Sequence, residues 1–226
     1  MKSYFRILLV LLATLLLLCG CGRKLTVNDD DTYTDRRSGV TYAPLSPCYE
    51  PAAIGAEYAT YKLSGMKTVL YQVGTLEPEQ YLTSEYYAVY ANRELNVPDF
   101  AALTLTKALL YKTTNAAIPA LTLKSEDDAQ KSVITALRQA YLEGARVSYP
   151  SFYEREASYT LRFEASNLPG LYYTVTYIEY AEDITDEIDG VPTNLGRYFL
   201  YDRYNQICVA VDDALHALLK SANAAA

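Results

Sequence analysis

The chain has 226 residues, with 27 acidic against 20 basic side chains and a formal charge of −7. That balance argues against nucleic acid as a partner and against electrostatic adhesion to anionic lipid. A chain this long can bury a core without staples, and its unusual residue is tyrosine: 23, against five phenylalanines and no tryptophan.

The first residues read MKSYFRILLVLLATLLLLCGCGRK. Lys2 and Arg6 form a short basic region, and Ile7 to Leu18 are uncharged. That run has the size of a signal-peptide core, whereas a membrane-spanning helix needs roughly 20 apolar residues. The stretch Leu18-Cys19-Gly20-Cys21 resembles the lipobox of bacterial lipoproteins, with the small Gly20 preceding the modified cysteine. The resemblance is confined to residues 1–21. It implies a signal peptide over 1–20, diacylglyceryl transfer to the thiol of Cys21, and a lipid-anchored protein at the extracytoplasmic face of the cell membrane. Two acyl chains hold a protein to a bilayer durably, where one binds only marginally. The other reading of this segment is an uncleaved anchor helix. Cleavage removes Lys2 and Arg6 and makes the balance two charges more negative.

Residues 21–42 are polar and charged without apolar periodicity, and they read as a lipidated tether. The triplet Asp29-Asp30-Asp31 belongs to that tether and is not pre-organised for a cation. Residues 43–226 then form the globular domain, with a subdivision to be considered near 124–145.

Within it, AEYATYKL and KTVLYQV alternate around the turn SGM, predicting a hairpin over 57–73. LEPEQYL (76–82) reads as one helical turn and EYYAVYA (85–91) as a strand. A second hairpin is expected over 105–123. The period then changes: Ser125 is the expected N-cap of a helix ended by Gly144, with Val133, Leu137, Ala140 and Tyr141 on one apolar stripe. SYTLRFEA (158–165) alternates cleanly and returns through SNLPG into LYYTVTYIEY (171–180). GRYFLY (196–201) and ICVAV (207–211) make a last hairpin, and Asp212 or Asp213 caps a short helix. The expected fold class is α+β: antiparallel sheet built of hairpins, with one long and one short helix on one face. A faint similarity between 86–103 and 197–215 raises the question of a duplication.

Few residues announce chemistry, and no cofactor is implied. The single histidine, His216, lies on the last helix and reads as a partly buried helix residue, since no serine motif or second ligand accompanies it. In AEDITDEIDG (181–190), Asp183, Asp186 and Asp189 recur before Gly190 and are a weak calcium candidate. Counting back from the glycine puts Thr185 and Glu187 at ligand positions and Gly196 where the closing acid belongs, so a solvated loop is the default. Cys48 and Cys208 remain after the leader and are candidates for a disulfide, set against two ordinary buried thiols. Tyr172, Tyr173, Tyr177, Tyr180, Tyr198 and Tyr201 fall on both faces of their strands, either as cross-strand packing or as a binding surface.

The expected function is a membrane-anchored lipoprotein with a non-enzymatic domain that binds a protein, peptide or envelope polymer. The alternatives are an envelope hydrolase using carboxylates that converge only in the fold, and a regulatory or inhibitory domain for a neighbouring membrane protein.

Overall fold

The computed structural model describes residues 23–114, 117–188 and 190–224. Cys21 and Asp189 therefore lie outside the described residues. The chain divides into two compact units. The first holds the described residues up to 45 together with 53–96, and the second holds 46–52 and the chain from 97 onward. Both are antiparallel and mostly β.

In the first unit the strands are β1 (Leu25–Val27), β2 (Tyr33–Asp35) and β3 (Thr41–Pro44), with β4 (Tyr49–Pro51) passing to the second unit. They are followed by β5 (Ile54–Leu63), β6 (Met66–Val73), β7 (Tyr81–Ser84) and β8 (Val89–Asn92). The order is β1-β2-β3-β8-β7-β6-β5. A parallel bridge from Lys24 to Thr60 brings the two edges together, so the sheet curls into a barrel. Inside it Leu25, Tyr33, Tyr42, Ala59, Tyr61, Leu70 and Leu82 form one core.

The expected tether is thus corrected: half of residues 25–44 lie in strands of this barrel and the rest are the turns that join them. Their apolar side chains are sparse, but Leu25, Tyr33 and Tyr42 all reach the core. Their polar groups also find partners, since the buried Asp35 pairs with Arg23 and accepts a hydrogen bond from Tyr58. Segment 76–80 is a turn rather than a helical one, and the strand expected from Glu85 begins only at Val89. Tyr86 and Tyr87 stand exposed in the preceding turn, with Tyr87 at φ 65°.

The second unit contains β9 (Leu105–Lys112), β10 (Leu121–Lys124), β11 (Arg155–Ala165), β12 (Leu171–Ile188), β13 (Val191–Asp202) and β14 (Ile207–Val211). The order is β10-β9-β11-β12-β13-β14, with β4 alongside β12. The pattern of 86–103 does not repeat that of 197–215: the former gives one strand and a 3-10 turn, the latter a hairpin and a helix.

Helices α1 (Asp128–Glu143) and α2 (Asp213–Ala224) both pack on one face of this sheet, through Tyr141 and His216. Asp127, not Ser125, caps α1, its carboxylate accepting from Gln130 N at 3.0 Å. Gly144 ends the helix through close approach: a Cβ there would meet Ala140 O at 2.4 Å and Val209 Cβ at 3.3 Å. No helix among the described residues is long and apolar enough to cross a membrane.

The acidic segment expected as a loop is instead the extension of β12, paired with β13 from Ile184 to Ile188. Asp183 accepts from Asn194 and Asp186 from its neighbour's amide. No three ligating side chains converge there or elsewhere among the described residues.

Candidate functional site

Strand alternation sorts the side chains of the second sheet into two faces. On the helix-covered face Tyr173 and Tyr177 point inward with Leu200 and Asp202, and Tyr198 lies opposite Val211. Phe100 stacks on Tyr173 at 4.5 Å and meets Phe163 and Tyr141. Asp202 is 1% exposed, yet its carboxylate is fully engaged. It accepts from Tyr141 Oη at 2.6 Å, Tyr173 Oη at 3.1 Å, Asn205 Nδ2 at 2.7 Å and the amides of Tyr204 and Asn205 at 3.0 Å. The Cys48 thiol adds a contact at 3.2 Å. Burial raises the Asp202 pKa, but the hydrogen bonds, led by the Asn205 amide, outweigh it and leave the group below its ordinary value.

The disulfide candidate is corrected by this arrangement. Cys48 faces Asp202, whereas Cys208 is the cross-strand partner of Tyr201 and points to the opposite face. Both thiols are free and buried, with the sheet between them. Burial pushes Cys48 up to about 11 and Cys208 to about 12.

His216 sits deeper than the sequence suggested, at 6% exposure. Its ring stacks on Tyr198 at 3.6 Å and its Nδ1 lies 2.6 Å from Tyr177 Oη. Burial lifts the Tyr177 phenol far above its ordinary value, so the phenol keeps its proton and donates to Nδ1. The remaining proton then sits on Nε2, which is buried without a partner. Burial, with Lys220 and Arg197 nearby, lowers the His216 pKa. Glu179 lies 3.9 Å away and is raised, chiefly by burial. The adjoining cleft measures about 100 Å³, and Glu179 is the only carboxylate among the described residues of its lining.

The opposite face is different in character. Ile178, Tyr180, Phe199 and Cys208 form a small core at one end, with Val147 and Tyr149 packed against it. Beside it a row of cross-strand neighbours, Thr160, Thr176 and Tyr201, remains half-buried. This row floors a cleft of about 390 Å³ that also takes in Ser158, Arg155 and Arg203. Tyr149 stacks on Tyr201 at 4.0 Å and hydrogen-bonds the Arg155 guanidinium. Arg203 is the first residue of the β13–β14 turn, whose amides Asp202 holds from the other side. Among the described residues, no carboxylate lines the cleft.

Comparison with family models, with curated proteins and with solved structures finds no match to this chain.

The six tyrosines, expected on both faces either as cross-strand packing or as a binding surface, are thus divided. Tyr173, Tyr177, Tyr180 and Tyr198 are core, because the helices cover one face and the segment around Pro150, which accepts from Tyr180 Oη, meets the other. Tyr172 is half-buried beside Arg162, and Tyr201 alone belongs to the cleft. Sequence reasoning missed Arg155 and Arg203, which lie 48 positions apart. The only local signal was a polar outward face on SYTLRFEA, in which Ser158 and Thr160 alternate with apolar residues.

Proposed function

We propose that the protein is a bacterial lipoprotein, anchored through Cys21 and displaying a non-enzymatic binding domain at the extracytoplasmic face of the cell membrane. The leader ending in Leu18-Cys19-Gly20-Cys21 supports the anchor. The contrast between the two faces of the second sheet supports the binding role. On the helix-covered face Asp202 is enclosed in hydrogen bonds and His216 is sealed beneath Tyr177 and Tyr198. On the other face, a cleft carries the side chains of Ser158, Thr160, Thr176 and Arg203, which have no hydrogen-bond partner among the described residues. An envelope polymer suits such a polar trough better than a folded protein partner, whose interface core would be depleted of charge and rich in apolar contact. The hydrolase alternative calls for two facing carboxylates, and the cleft beside His216 offers Glu179 alone.

Mass spectrometry of the native product tests the anchor. The expected N-terminus is a glyceride-modified Cys21 in the membrane fraction. A chain beginning at Met1, or an unmodified one recovered from the cytosol, overturns it.

A further inference from the structure

We propose that the cleft floored by Thr160 and Thr176 recognises an oxyanion, a phosphate or carboxylate group carried on a hydroxylated backbone. This deepens the binding reading above and rests on it.

The charges come first. In a chain of net charge −7, cationic side chains are expected to be neutralised by neighbouring acids, and several are. Arg23 pairs with Asp35, Arg93 with Asp30, Lys107 with Glu164 and Arg162 with Glu50. These four are a minority of the described cations. Arg155 and Arg203 belong to the unpaired remainder, and what sets them apart is that both line one cleft in which no described residue supplies a carboxylate. The Arg155 guanidinium donates to the Tyr149 hydroxyl, lies over its ring and also acts on the Tyr180 hydroxyl, none of which carries a negative charge. Glu156, next to it in sequence, acts instead on Glu179 and His216 across the sheet. Two guanidinium groups without a counter-charge in an otherwise acidic molecule are complementary to an anion, and their planar forks match phosphate and carboxylate bidentately.

The floor supplies the rest. The side-chain hydroxyls of Ser158, Thr160 and Thr176 have no hydrogen-bond partner among the described residues, and each lies on a paired strand. Hydroxyls fixed on a sheet hold their positions without loop ordering, so a ligand meets a pre-organised row of donors and acceptors. A hydroxylated carrier, such as a sugar or glycerol unit, satisfies that row while its anionic group meets the arginines. The arginines are positioned from below: Tyr149, stacked on Tyr201, holds Arg155, and the Asp202 network holds the turn of Arg203. A volume of about 390 Å³ suits a ligand or polymer segment of small-molecule size.

The experiment is calorimetric titration of the full-length lipoprotein in nonionic detergent with glycerol 3-phosphate, poly(glycerol phosphate), glucuronate and glucose. The anions are expected to bind, with affinity that falls as salt rises, and glucose is not. Arg203→Glu is expected to weaken anion binding by at least about tenfold without lowering the melting temperature, because the Arg203 side chain has no partner among the described residues. Thr176→Val is expected to weaken it by several-fold. Poly(glycerol phosphate) binding far more tightly than the monomer makes the source a polymer; equal affinities make it a free small anion. If glucose binds as well as glucuronate and Thr176→Val weakens both, the cleft is a binding site but the anion class is overturned. If anions bind and neither variant changes the affinity, the cleft itself is overturned. No binding by any probe at about 10 mM overturns the oxyanion proposal and leaves the lipoprotein reading to its own test.

Discussion

The hydroxyl of Tyr141 on α1 donates a 2.6 Å hydrogen bond to the carboxylate of Asp202 at the end of β13, joining residues 61 positions apart in the chain. With Tyr173 and the amides of Tyr204 and Asn205 as further donors, one buried anion holds a helix, two strands and a turn together. Removing it leaves several buried donors unsatisfied. Asp202→Ala is expected to cost about 3–5 kcal/mol of stability, read as a lower midpoint in urea. The same group carries an acid sensitivity. Its pKa in the folded state lies below that of the free side chain, so its contribution is complete above about pH 4 and is lost as pH falls through the folded value. Asp202→Asn is expected to be less stable at neutral pH and flatter on the acid side. An unchanged acid limb in that variant would show that the carboxylate does not set it.

His216 predicts a second slope in a different window. Its folded-state pKa lies below 6.5, with burial as the main cause. The unfolded chain therefore binds more protons there, and stability present above about pH 6.5 is lost as pH falls toward the folded value. The groups facing it, Glu179, Glu156, Arg197, Lys220 and Asp213, remain in a His216→Phe variant, which also keeps a ring to stack on Tyr198. Denaturation profiles of the two proteins between pH 7 and 5 are expected to diverge, the variant being the flatter. Parallel profiles would exclude His216 as the source.

The two buried thiols give the simplest measurement. Cys48 and Cys208, at 1% and 2% exposure and with raised pKa values, are expected to resist a thiol reagent in the folded state and react only on unfolding. Reductant is expected to leave the melting temperature unchanged. A mass two hydrogens lower under oxidising conditions, restored by reductant, would contradict the placement of the two on opposite faces.

What the sequence determined by itself is the set of elements whose signal is local. The hairpin around Ser64 and Gly65, the strands 158–165 and 171–180, the hairpin 196–211 and the helix ended by Gly144 all form where periodicity or turn chemistry places them, because the period of one strand or helix is set by its own backbone. Residues 25–44 show the limit. Strands of three or four residues are too short to display alternation, and they are held by pairing with one another, by β3 pairing with β8 and by the Lys24 bridge to Thr60, so only the closed barrel makes them strands. The tyrosines show it again: alternation assigns each to a face, but only the placement of α1, α2 and the segment around Pro150 decides which face is dry. The cleft is wholly tertiary. Arg155 and Arg203 are unremarkable singly in an acidic chain, and β-pairing between distant strands brings them to one row of hydroxyls, since register is a property of the sheet and not of any strand alone.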